Sequence, residues 1–226
     1  VGGATFQPRK GEYLLFEKSS GGNEVFRIYR MDLATKAVTP ISNEQERAGS
    51  PSWSRSGDRI VYTTAAIDRN NAARKAITKL YIADPLKPEN TKHVATFDAG
   101  GVGDFRFSPD DKSLVFQEYV SANQAHLWTM DIASGEKKRV TPAPTAGESV
   151  FYGSARFARD GRGLYAVSDR DSEFRRLVHI DLDSGKETVL TESLKFNVDS
   201  FAVSYAARRI ALITNEEGSS VLRFFD

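Results

Sequence analysis

Cysteine is absent from this sequence, which excludes disulfides, thiolate metal ligands and a cysteine nucleophile. The absence suits oxidising and reducing compartments equally. Histidine occurs three times, at His93, His126 and His179, with no pair at metal-ligand spacing. No apolar run approaches the roughly 18 residues of a spanning helix, and the amino terminus lacks a charged-then-apolar leader. Membrane insertion is not expected; because the chain opens on Val1, the missing leader carries no weight for localisation. An excess of one charge is also lacking: 31 Lys and Arg stand against 30 Asp and Glu, a net charge of +1. No general field is available to attract nucleic acid or an anionic surface, so any polar recognition is local. What is present is apolar: 40% hydrophobic residues, including 14 Phe and 8 Tyr, can build a sizeable core within 226 residues.

A repeat dominates the chain. A small-residue stretch ends in an apolar anchor, then a turn, then a nearly continuous apolar run. The anchors are Phe6, Trp53, Phe107, Phe157 and Val203, followed by QPRKGE, SRSGDR, SPDDKS, ARDGRG and SYAARR. A second mark, an Asp ending a later strand, falls at Asp32, Asp84, Asp131, Asp181 and Asp226. Both recur every 45 to 54 residues. The residues before each anchor alternate, as in Phe105/Phe107, which suits an inner strand. The next strand does not alternate, as in Ile60 to Tyr62 and Leu164 to Val167, so both its faces need covering. Third strands such as Leu127 to Met130 end at the Asp; turns such as DIASGE lead to short outer strands, where Pro40 and Pro142 suit an edge. The pattern predicts an all-β β-propeller of five consecutive blades of four-stranded antiparallel sheets, with boundaries near 1–47, 48–101, 102–150, 151–197 and 198–226. The fifth unit stops after its third strand, so the single domain 1–226 is expected to belong to a longer chain.

Residues that recur in every blade serve every blade. The five aspartates are read as turn starters, accepting amide hydrogen bonds with their own side chains. Asp181-Leu-Asp183-Ser-Gly185 superficially resembles a calcium loop, but the glycine is one place early and the flanking strands make it a hairpin. No cofactor or metal is expected. Site chemistry belongs where blades differ, in the connections between second and third strands. These carry Asp68, Arg69, Arg74 and Lys75 in blade two, Glu118 and Tyr119 in blade three, Asp169, Arg170 and Glu173 in blade four, and Glu216 and Glu217 in blade five. From this mixed-charge rim, Arg69, Tyr119, Arg170, Glu173 and Glu216 are the candidate substrate or partner contacts, set against the reading of most of them as solvated loop charges. Arg106 and Arg156, each one residue before an anchor, face a channel or seam, or pair with a neighbouring carboxylate.

With SPSWSRSGDRIVYTT, FRFSPDDKSLVF and LWTMDIASGEKKRVTP, the chain resembles the propellers of the prolyl oligopeptidase family of serine peptidases, and equally TolB-type propellers. SDRDSEFRRLVHIDLDSGKETVLT is similar to blades of the dipeptidyl and acylaminoacyl peptidase branches. The likeness covers residues 4–226. It implies a ring of seven or eight blades and a non-catalytic propeller that gates or orients peptide substrates for an α/β-hydrolase domain of the same natural polypeptide. Periplasmic or secreted location rests on the resemblance alone. The Gly-x-Ser-x-Gly elbow of such hydrolases is missing here, since Gly147-Glu148-Ser149 and Gly218-Ser219-Ser220 lack the second glycine. The rival expectation is a TolB-like envelope propeller that binds proteins and has no enzymatic activity.

Overall fold

A computed structural model describes residues 2–65, 77–98, 100–143, 145, 147–204 and 209–225. All regular structure among them is strand. Blade one comprises β1 (Ala4–Phe6), β2 (Tyr13–Lys18), β3 (Arg27–Asp32) and β4 (Val38–Pro40). Blade two has β5 (Arg47–Trp53), β6 (Ile60–Ala65), β7 (Thr78–Asp84) and β8 (Lys87–Phe97). Blade three has β9 (Val102–Phe107), β10 (Ser113–Ser121), β11 (Gln124–Asp131) and β12 (Lys137–Arg139). Blade four has β13 (Tyr152–Phe157), β14 (Gly163–Ser168), β15 (Arg176–Asp181) and β16 (Glu187–Val189), and blade five has β17 (Val198–Val203), β18 (Ile210–Glu216) and β19 (Ser219–Phe225). Five antiparallel propeller sheets result, four of four strands and the last of three. The chain divides into two compact units, Val1–Phe107 with Ile132–Gly135, and Ser108–Asp131 with Glu136–Asp226.

In the first unit, Tyr13, Leu15 and Ile28 of sheet one meet Ala48, Ile60 and Tyr62 of sheet two in one buried cluster. Ile60, Val61 and Tyr62 are consecutive and all buried, as a strand covered on both faces requires. In β2, by contrast, only Tyr13 and Leu15 are buried. In the second unit, Val115 and Leu127 pack on Tyr152, Phe157, Leu164 and Ala166, while Val167 and Leu177 pack on Val198 and Leu212. The core of each unit therefore lies in the seams between its own successive sheets.

Each blade's up-and-down path places the β1–β2 and β3–β4 type turns at one end, the turn end, and the middle connection at the other, the hairpin end. At the turn end, Asp32 Oδ1 accepts from the Ala34 and Thr35 amides at 3.0 and 2.8 Å, and Asp181 Oδ1 from the Ser184 amide at 2.8 Å. Four residues after Asp32, Asp131 and Asp181, the residues Lys36, Gly135 and Gly185 are left-handed, with φ of 61°, 73° and 71°. The Asp181 segment is thus a capped hairpin. A further repeat is buried: the amides of Ile28, Leu127 and Leu177 donate to hydroxyls of Ser42, Thr141 and Thr191 at 3.0, 3.3 and 2.9 Å.

Three features depart from the pattern. Blade two has an eleven-residue outer strand, β8, entered by a tight Pro85-Leu86 turn, where the sequence pattern predicts a short strand and a uniform turn. Pro142 lies beyond β12 and not within it. Inner strands do not alternate simply: β5 and β13 carry bulges, and Ser50 and Ser154 within them adopt φ of 58° and 53°, as does Asp104 of β9 at 51°. Each sits three residues before its anchor.

Candidate functional site

The sequence-predicted contacts fall at the hairpin end. Arg69, with Asp68, Arg74 and Lys75, lies outside the described residues. Nearby in the first unit, the Glu46 carboxylate accepts from Thr64 Oγ1 at 2.5 Å and pairs with the Lys79 ammonium on the neighbouring strand. Burial acts to raise its pKa, but the Lys79 and Thr64 hydrogen bonds outweigh it and hold the carboxyl below its ordinary value.

The second unit brings several candidates onto one surface. Tyr119 and Val120, at the tip of the β10–β11 hairpin, expose 49% and 54% of their areas, a small apolar knob raised by a register irregularity between Tyr119 and Ser121. Behind the knob, Glu118 Oε2 accepts from the Trp128 indole at 2.7 Å. His126, opposite Glu118 in the ladder, is pushed below its ordinary pKa by burial and by the Arg139 charge.

The chain between β14 and β15, residues 169–175, carries two further candidates at this end. Asp169 Oδ1 accepts from the Phe151 amide at 2.7 Å and Ser168 Oγ from the Arg170 amide at 3.1 Å, which fixes the loop base. Arg170 then folds back along its own sheet: its guanidinium lies 3.7 Å from Glu187 Oε2, which also accepts from the Tyr152 hydroxyl at 2.9 Å. Burial, and then the Glu187 carboxylate, push the Tyr152 phenol above its ordinary pKa, so it serves as a neutral donor. Arg170 is thereby half committed to an internal polar cluster, with its side chain 41% exposed. Glu173 is exposed at the loop tip. Glu216 accepts from Thr214 Oγ1 at 2.7 Å and pairs with Arg223 across the β18–β19 hairpin, so its charge is locally matched.

Arg175 organises this surface, although the sequence pattern does not single it out. Its guanidinium stacks 4.1 Å above the Phe151 ring and donates to Ala122 O at 3.1 Å, while its amide donates to Asn197 Oδ1 at 2.8 Å. It ties the knob hairpin, the entry to blade four and the entry to blade five. The available signal was the Arg175-Arg176 pair opening a strand that otherwise begins apolar. Tyr119, Arg170 and Glu173 thus flank one Arg175-centred surface, and Glu216 lies two residues beyond Thr214, the ladder partner of Val198.

The inner-strand arginines are explained locally. Arg106 Nη2 pairs with Asp104 Oδ1 at 2.7 Å, and Arg106 and Arg156 each donate to the carbonyl of the preceding residue at 3.0 and 2.7 Å. Among the described residues, no three His, Asp or Glu side chains converge to hold a metal ion.

Comparisons with known proteins agree with this architecture. Dipeptidyl aminopeptidase BIII of Pseudoxanthomonas mexicana is 25% identical over 123 residues, 54% of this chain and 18% of that protein. The chain thus spans less than a fifth of that relative's length. TolB from Acinetobacter baumannii superposes with a TM-score of 0.68 at 22% identity, over 95% of this chain and 49% of that one. A prolyl endopeptidase structure superposes at 0.78 and 12% identity, over 99% of this chain and 33% of the other. These solved structures share the fold. The family described as prolyl oligopeptidase, N-terminal beta-propeller domain, matches residues 1–226, and the chain belongs to it.

Proposed function

We propose that this propeller is the non-catalytic part of a serine-type peptidase, limiting and orienting the access of peptides to an α/β-hydrolase domain of the same natural polypeptide. The observation that supports this reading is the family match along the whole chain. The hairpin end supplies the contacts. Tyr119 and Val120 offer an apolar surface to a peptide side chain, Arg170 a cation for a carboxylate, a role the sequence alone also assigns to Arg69, and Glu173 a carboxylate for an ammonium or guanidinium, with Glu216 already paired to Arg223 behind it. Mixed charges in one rim suit a ligand with one charge of each sign at its termini.

The test uses the natural polypeptide that contains this chain, assayed with chromogenic di- and tripeptides and with an unfolded protein substrate. Short peptides are expected to be cleaved and the protein spared. Tyr119→Ala and Glu173→Gln are expected to raise KM for short peptides about two- to tenfold with kcat unchanged, as the loss of uniform binding does. Absence of peptide hydrolysis, or equal cleavage of short peptides and protein, would sink the proposal.

A further inference from the structure

One register position sets how the seams are filled at the turn end. Tyr13 and Ser113 lie opposite the register residues Asp32 and Asp131, and Arg59 holds the same place one residue before Ile60. In the first unit a guanidinium stands on an aromatic ring at both seams. Tyr13 packs on Trp53, the next blade's anchor, with ring centroids 5.9 Å apart, and the Arg30 guanidinium lies 5.7 Å from the centre of the Tyr13 ring. At the following seam the Arg59 guanidinium lies 5.9 Å from the centre of the Phe107 anchor, and its Nε is 3.5 Å from Asp58 Oδ1. A planar, weakly hydrated cation on an aromatic face beside a carboxylate is the arrangement that arginine favours.

In the second unit, the seam between blades three and four has the ring and the carboxylates without the cation. Its register residue is the short Ser113, and a cavity of about 310 Å³ lies between it and the Phe157 anchor. Phe157 and Leu182 form apolar walls, Ser113 and Thr129 supply hydroxyls, and Asp110 and Asp160 stand at the mouth. Among the described residues, no lysine, arginine or histidine lines it. The turns that carry the two aspartates are close neighbours, since a Cβ on Gly161 would fall 3.7 Å from Pro109, and both belong to complete four-stranded sheets. Asp110 Oδ1 accepts from Ser108 Oγ at 2.6 Å and from the Lys112 amide at 3.2 Å, and Asp160 Oδ1 accepts from the Arg162 amide at 2.9 Å. Each carboxylate is thus anchored through one oxygen within its own turn. An aromatic wall, two anchored carboxylates and an open space that the preceding seam fills with its own arginine match a guanidinium brought from outside. We propose that the turn-end cavity between blades three and four binds an alkylguanidinium, either a small free cation or the arginine side chain of a peptide, in the place that Arg59 fills one seam earlier.

The probes are N-butylguanidinium, its neutral isostere N-butylurea, and acetyl-Ala-Arg-Ala-amide with its citrulline counterpart, titrated by calorimetry into the natural polypeptide that contains this chain. Saturable binding of at least one guanidinium probe, with its neutral counterpart about tenfold weaker, is expected. If the arginine peptide matches or exceeds N-butylguanidinium, the source is a peptide; a weaker response from the peptide assigns the site to a small molecule. Ser113→Arg, which supplies the cation from within, is expected to raise Tm and abolish binding. Asp160→Asn keeps an acceptor for the Arg162 amide and supplies the answer if the first variant does not fold: affinity for the cation falls about tenfold while N-butylurea is unaffected. The proposal is overturned if neither cation saturates, if the neutral counterpart binds equally well, or if binding survives Ser113→Arg or Asp160→Asn undiminished.

Discussion

The two ends of a blade are built from the same strands and solve different problems. At the turn end one solution recurs in blades one and four: an Asp caps the turn, and a left-handed residue follows four places on. At the hairpin end the Ser or Thr hydroxyl just past the outer strand recurs in blades one, three and four, but the connections between second and third strands do not. Blade three ends in an exposed knob, blade four in a loop pinned by Asp169 and Ser172, and blade five in a two-residue Glu217-Gly218 turn with φ of 52° and 87°. Repetition marks what every sheet needs in order to pair and stack, and divergence marks where a surface can be specialised without disturbing that pairing.

Substitutions can break this contrast, beginning with the core that both ends share. Leu127→Ala or Leu164→Ala, at fully buried seam positions, is expected to cost about 3 kcal/mol in urea unfolding. A loss below about 1 kcal/mol would mean that the seams are loosely filled and that neither end rests on a rigid scaffold. Next come the repeated hydroxyls. Thr141→Val and Thr191→Val each leave a buried amide without an acceptor, at about 1–3 kcal/mol. Similar losses in both blades support the shared solution, whereas a neutral result in one blade would break it.

The acid limb is a smaller effect and belongs to the turn end. Ser108 holds Asp110, the Thr35 amide holds Asp32, and the Ser184 hydroxyl holds Asp181, each below the ordinary 3.8. A carboxyl depressed on folding adds stability that is fully present above its unfolded pKa and is lost as pH falls through the lower folded value. Tm is therefore expected to be flat from neutrality to about pH 5 and to drop below about pH 4. Ser108→Ala should shrink that drop, and an unchanged acid profile would refute the assignment. Least of all, Tyr119→Ala and Glu173→Gln at the hairpin end are expected to alter stability by less than about 0.5 kcal/mol. A larger change would show that the hairpin end also carries structural load.

The period, the anchors and the Asp-capped turns were legible because each depends on local chemistry that recurs from blade to blade. Residues that act over distance were not. Tyr152, Arg170 and Glu187 meet diagonally along one twisted sheet face, from an inner strand, a hairpin-end loop and an outer strand, and nothing in their spacing marks them. Arg175 gains its position from Ala122, Phe151 and Asn197, which converge only after three blades are stacked. The bulges escaped because Ser50 and Ser154 are ordinary residues in strands, and only the backbone shows the positive φ.

Those bulges carry a consequence for assembly. Glu17 Oε1 accepts the Ser50 amide in the first unit at 2.8 Å, and Gln117 Nε2 donates to Tyr152 O in the second at 2.9 Å, each beside a bulge. The clasps have opposite polarity. A blade docked beside the wrong sibling would set a carboxylate against a carbonyl oxygen, and an inner strand slipped by one residue would turn its anchor out of the seam. In a chain of near-identical sheets, where exchanging neighbours is the characteristic folding error, these two contacts act as keys that tell one blade from the next.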